Sequence, residues 1–198
     1  MIKVAKPFVF LLCLAPFFLL LWGAFTNNLG ANPKEAITHE TGDWILNFLL
    51  ITLAISPLRQ VTGWNWLIRF RRMAGLFAFF YASLHFAIYC LFIEAFNWTT
   101  IAQDIVTRPY ITVGFLSLVL MLPLAITSTK GWIKRLGGKR WQLLHRLIYL
   151  SAIAGVLHYL WLVKLDITYP LRYGIVLAVL LLIRVWTAVR SRQQPIGG

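Results

Sequence analysis

Hydrophobic residues in this chain come in long blocks, and polar residues are pressed into the gaps between them. A bilayer core of about 30 Å is crossed by roughly 20 apolar residues of helix. Six blocks approach that length, at about 7–25, 43–58, 74–96, 110–127, 141–163 and 170–189, the second being the shortest. The pattern predicts an all-α, polytopic membrane helix bundle with six transmembrane helices, forming one domain over residues 1–198. Lys3 and Lys6 precede the first block as they would in a secretion signal. Its apolar core is longer than such signals carry and no A-x-A site follows, so the reading is an uncleaved first helix.

The gaps fix an expected orientation. Fifteen lysines and arginines fall on the side of the N-terminus, including Lys3, Lys6, Arg59, Arg69, Arg71, Arg72, Lys130, Arg146, Arg184 and Arg192. Four fall on the other: Lys34, Arg108, Lys164 and Arg172. Positive loops stay in the cytoplasm, so both termini are expected there. Trp22, Trp44, Trp98 and Trp141 lie near span ends, where indole rings anchor at the interface.

Composition agrees and removes one alternative. The chain is 60% hydrophobic and 13% charged, with mean hydropathy +0.74, whereas soluble domains run near half apolar and a quarter charged. A net charge of +13 would suit a nucleic-acid binder, but the basic residues lie in short clusters between apolar blocks, which is the topology signature instead. Cys13 and Cys90 sit inside apolar runs with no CxxC and read as small apolar filler. The tail "RSRQQPIGG" is too short for a domain, and no Gly-rich dinucleotide fingerprint follows a strand.

The candidate chemistry lies in the histidines. His39 falls in the expected outer loop "ITHETGDW", His85 in the third block, and His145 and His158 in the fifth. Ionisable side chains inside membrane spans are costly and mark function; the ordinary alternative is a neutral imidazole bonded to a neighbouring helix. Three histidines on two spans, with almost no carboxylate between them, disfavour a proton relay, and their spacing offers no zinc site. An iron porphyrin fits better, because it needs an axial imidazole and a helix face it can approach. Ala74, Ala78, Ala82 and His85 share one helical face, as do Ser151, Gly155 and His158. The ordinary reading of those small residues is close helix packing. Thirteen residues separate His145 from His158, about 20 Å and about 220° of turn on an ideal helix, too far for one iron. Either they serve two haems, or one is not an axial ligand, or the helix is distorted. Arg69, Arg71, Arg72 and Arg146 could hold haem carboxylates or a flavin phosphate, or serve only as topology anchors.

"RRMAGLFAFFYASLHFAIY" followed by "KRWQLLHRLIYLSAIAGVLHYLW" resembles the ferric reductase-like transmembrane superfamily. Together with "HETGDWILNFLLITLAISPLRQVTG", these stretches resemble the MsrQ family within it, over nearly the whole chain. The resemblance implies b-type haem, one or two per chain, with His85, His145 and His158 as axial-ligand candidates, and also FMN. It implies electron transfer across the membrane to a periplasmic molybdopterin enzyme of the MsrP type that reduces methionine sulfoxide in oxidised proteins. The donor would be quinol or a cytoplasmic flavin reductase, and the substrate chemistry would belong to the partner subunit. Two other readings remain at this point: a stand-alone ferric or quinone-linked reductase, and a haem-free transport or assembly protein whose histidines are structural.

Overall fold

The computed structural model describes the backbone of residues 2–193 and the side chains of residues 5–190; the side chains of Lys3 and Arg192, used for orientation, lie outside those limits. Among the described residues the chain is helical, without strands. Nine helices follow in order: α1 (Ile2–Phe25), α2 (Pro33–Thr62), α3 (Ile68–Ile88), α4 (Trp98–Thr107), α5 (Pro109–Ile126), α6 (Lys130–Leu136), α7 (Gly138–Leu144), α8 (Leu147–Leu162) and α9 (Thr168–Gln193). Six stretches are long and apolar enough to cross a membrane: Ala5–Phe25, Pro33–Thr62, Asn65–Ile93, Pro109–Ile126, Gly138–Leu162 and Thr168–Arg190. Their outward faces carry large apolar side chains in the open, such as Leu19, Phe25, Leu171 and Leu182. In water such a surface would be a liability, and in lipid it is the solvent-matched face. The molecule is a multi-pass membrane protein.

Two helix pairs, α2 with α3 and α5 with α8, make the centre. Leu49, Leu53, Ala78 and Tyr81 are fully buried there. α1 and α9 lie at the rim. Tyr81 reaches from α3 into the backbone of α1: Phe17 N–H donates to its hydroxyl at 3.2 Å, and that hydroxyl donates to the Cys13 carbonyl at 2.9 Å. The insertion falls beside Pro16, which has no N–H to give. Tyr81→Phe leaves those two backbone groups without the bridge, in surroundings with no water. It should cost about 1 kcal/mol or more of stability, read as an earlier midpoint in denaturation of the detergent-solubilised protein.

The structure departs from the sequence reading at several places, three of which bear on the site. The second span begins ten residues before the expected 43, because Asn32 caps the helix through its side chain (Glu35 N–H donates to it at 3.4 Å) and Pro33 occupies the first turn. His39 therefore lies on α2 and not in a loop. The fifth span is broken: Arg146 N–H bonds to Leu143 O and Tyr149 N–H to Arg146 O, three-residue steps that part α7 from α8 at His145. The break distorts the helix between His145 and His158 locally, one of the alternatives left open for that pair. Third, an unforeseen short helix, α4, lies between the third and fourth spans and packs on α5 with Ile101 and Asp104 buried.

Arginines tie one end of the bundle together. Arg71 reaches Ser56 (3.4 Å), Arg72 reaches the Ser128 carbonyl (3.4 Å), and Arg184 donates to Tyr149 Oη (2.7 Å) and the Leu53 carbonyl (2.8 Å). This is the end where the sequence places its positive excess, called inner below; the opposite end, with α4, is called outer.

Candidate functional site

Two of the three intramembrane histidines meet. His85 on α3 and His158 on α8 have ring centroids 6.2 Å apart and ring planes at 87°. Each ring is held by its Nδ1 atom. His85 Nδ1 lies 3.1 Å from the Thr38 carbonyl and 3.1 Å from Thr41 Oγ1. The Thr41 hydroxyl gives its proton to the Ile37 carbonyl at 2.8 Å, so toward the imidazole it can only accept. Nδ1 of His85 therefore carries the hydrogen. His158 Nδ1 lies 2.7 Å from the Tyr110 carbonyl, an acceptor only, and carries its hydrogen likewise. In both neutral rings the lone pair is left on Nε2, and among the described residues no hydrogen bond engages either Nε2.

Both rings line a cavity of about 250 Å³ between α2, α3, α5 and α8. Its walls are mostly apolar, with Leu46, Phe86, Phe115 and Met121; the polar groups Thr38, His39, Asp43, Arg108 and Tyr159 lie toward the outer end. Three glycines line it. A Cβ on Gly114 would fall 2.6 Å from His158 Nδ1, and one on Gly42 would lie 3.5 Å from His85 Cε1. The His158 ring can hold its position only because position 114 has no side chain.

This arrangement fits an iron porphyrin. Metal-binding histidines give their second N–H to a backbone carbonyl or carboxylate, which fixes the tautomer and raises ligand basicity; here both do so. Metal–imidazole bonds run about 2.0–2.1 Å each, and two of them plus the ring radii match the observed centroid separation. The described residues contain no group of three His, Cys, Asp or Glu suited to a bare metal ion. Two converging imidazoles in an apolar slot suit a metal whose remaining positions a flat macrocycle fills.

His145 is elsewhere. It sits at the break between α7 and α8, stacked on Trp141 at 3.9 Å between centroids, and it does not line the cavity. Its Nε2 lies 3.0 Å from Thr127 Oγ1. The Thr127 hydroxyl gives its proton to the Pro123 carbonyl at 2.6 Å, so His145 has the opposite tautomer, with Nε2–H donating and Nδ1 bare. His39 reaches the outer lip but is exposed and stands 3.8 Å from Glu35 on its own helix. His39→Ala should leave haem content and optical spectrum unchanged; haem quantification on the purified variant checks this.

The small residues divide between the two readings given for them. Ala82 and Gly155 line the cavity. Ala74 and Ala78 are packed in the core, and Ser151 bonds across helices to Ser117 (2.9 and 3.0 Å), so these serve helix packing. The arginines at 69, 71, 72 and 146 do not line the cavity. Sequence reasoning missed Gly114, whose signal was a glycine inside a span, and Gly42, which fell just before the expected second span; it also missed the Tyr110 and Thr38 carbonyls, which leave no trace in a sequence.

With this geometry in hand, the chain was compared with known proteins. The family model described as "Ferric reductase like transmembrane component" matches residues 41–156, which include His85 and His145 but end just before His158. A Herminiimonas arsenicoxydans protein described as "Protein-methionine-sulfoxide reductase heme-binding subunit MsrQ" is 54% identical over 191 residues, 96% of this chain and 88% of that protein. Proteins of the same description from Ralstonia nicotianae (48% over 200 residues, 100% of this chain and 92% of the relative) and Rhodospirillum rubrum (50% over 193 residues, 96% and 92%) are similar over the same extent.

Proposed function

The chain belongs to the ferric reductase-like transmembrane family and, within it, to the MsrQ family; from that premise and the paired imidazoles, we propose that it is the haem-binding, electron-transferring membrane subunit of a protein-methionine-sulfoxide reductase system. The observation that carries the reading is the meeting of His85 and His158 with both Nε2 lone pairs free.

When bound, haem b supplies a one-electron ferric/ferrous couple in the membrane. The protein's part is to hold and tune it. His85 and His158 would hold the iron from α3 and α8, and the carbonyls of Thr38 and Tyr110, which fix both tautomers, would make the nitrogens better donors. Leu46, Phe86, Phe115 and Met121 exclude water, and a dry site raises the weight of every nearby charge on the potential. The site lies toward the outer end, the side on which a periplasmic acceptor would dock. His145 marks a second position nearer the inner end, where a second haem would need its bare Nδ1 or an opened Thr127 bond, with a non-histidine partner or none.

In this reading both termini are cytoplasmic and the membrane is the bacterial inner membrane. Electrons would enter on the cytoplasmic side from quinol or a flavin reductase; the family resemblance also implies FMN. They leave to a periplasmic molybdopterin subunit of the MsrP type, where methionine sulfoxide is reduced. The test is a purified preparation from haem-replete cells, reduced and then mixed with the partner enzyme and a methionine-sulfoxide protein. The reading expects a Soret band with at least one haem per chain, and reoxidation that depends on partner and substrate together. A colourless folded preparation would sink it. Rapid turnover of ferric chelate by the isolated subunit, without effect of the partner, would replace it with the stand-alone reductase.

A further inference from the structure

Arg108 faces the cavity from its outer end, and the protein goes to some length to fix it. Its Nε donates to Asp104 Oδ1 at 2.9 Å. Asp104 is 4% exposed, and its other oxygen accepts from Tyr89 Oη at 2.9 Å. A carboxylate is buried at such a site only with partners for its charge, and here α4 carries it into place while Tyr89 holds it from the turn after α3. That leaves one edge of the guanidinium committed. Among the described residues, Asp104 is the one carboxylate within ion-pairing distance of Arg108, and the Tyr110 hydroxyl beside it is neutral, so the guanidinium can take a second anionic partner. The Tyr110 hydroxyl first, and the Asp104 carboxylate second, push Arg108 further above its usual value, so it stays charged. Among the described residues, the cavity wall holds no other lysine or arginine.

A ligand of this cavity that has an apolar body and an acidic end is therefore oriented: body among the aromatic and aliphatic wall, acid toward Arg108. Haem has that form, with its two propionate carboxylates on one edge. We infer that Arg108, aimed by Asp104 and Tyr89, binds a carboxylate of the haem held by His85 and His158 and so fixes which way round the macrocycle sits. This rests on the haem reading above. It adds a residue, and a role for α4, that the histidines alone do not require.

The test is reconstitution of the haem-depleted full-length protein with haem and with haem dimethyl ester, in which both carboxylates are masked. The wild type should bind the ester about tenfold more weakly than haem, the loss expected for one charge-assisted hydrogen-bonding partner at a half-exposed site. Arg108→Gln should bind haem about as weakly as the wild type binds the ester, and should no longer distinguish the two. Arg108→Lys, which keeps the charge, should recover part of the difference. Haem midpoint potential gives a second readout, since loss of the cation should lower it. Equal binding of haem and ester by the wild type would overturn the inference without touching the axial histidines, as would an Arg108→Gln protein that still prefers haem by the wild-type factor. A protein that binds neither compound would overturn the haem reading itself and this one with it.

Discussion

Replacing either His85 or His158 by alanine should empty the outer haem site, and each substitution should do so alone. The two imidazoles come from different helices, so neither can supply both axial bonds. Loss of one also removes a ring that fills the cavity wall. Loss of a residue that only orients a metal ligand costs about 10–100-fold in metal affinity, and loss of the ligand should exceed that. His145→Ala should behave differently. Its ring neither lines the cavity nor shares a hydrogen-bonding partner with the other two, so the spectrum of the outer haem should persist whatever becomes of a second one. Pyridine haemochrome quantification with optical spectra of the three purified variants checks this. Equal losses in all three would mean that the histidines act through the fold and not through separate iron sites.

Gly114→Ala should lower haem binding about 10–100-fold, the range seen for mutating groups that orient a metal ligand, with the fold retained. One methyl group is added, in a helix where alanine is intrinsically favoured over glycine. It would stand 2.6 Å from His158 Nδ1 and 2.9 Å from Cε1, far inside contact distance, and the rigid five-membered ring cannot bend aside as a flexible side chain would. His158 must turn or shift, and its 2.7 Å bond to the Tyr110 carbonyl goes with it. The matched control is Gly42→Ala, where the new carbon meets His85 at 3.5 Å, ordinary van der Waals contact, and binding should change little. Haem titration of the two depleted variants, with helicity measured alongside, separates a displaced ligand from an unfolded protein.

How far these features could be read from the sequence depends on what made them. The spans were legible because a bilayer demands length and apolarity, and both are sums over many residues. The ends were less so. The polar stretch at 33–42 reads as loop by hydropathy, yet Asn32 and Pro33 start a helix there, and that places Thr38 and Thr41 against His85. The break at His145 turns on two three-residue backbone bonds with no proline or glycine to announce it. The histidines were legible because imidazole in lipid is rare. Their pairing was not, since it needs the packing of α3 on α5 and α5 on α8. Small residues beside them were read as room for a flat ring; the packed bundle gives that role to Ala82 and Gly155, and gives Ala74, Ala78 and Ser151 to helix contacts. The decisive glycine, Gly114, faces a histidine on another helix, a relation that periodicity along one span does not record.

The central claim is that one iron is held between His85 and His158, and low-temperature electron paramagnetic resonance of the oxidised protein tests it most directly. The near-perpendicular ring planes, 87° apart, predict a strongly anisotropic low-spin ferric signal that survives in His145→Ala and vanishes in both His85→Ala and His158→Ala. A folded His85→Ala or His158→Ala protein that keeps that signal would contradict it.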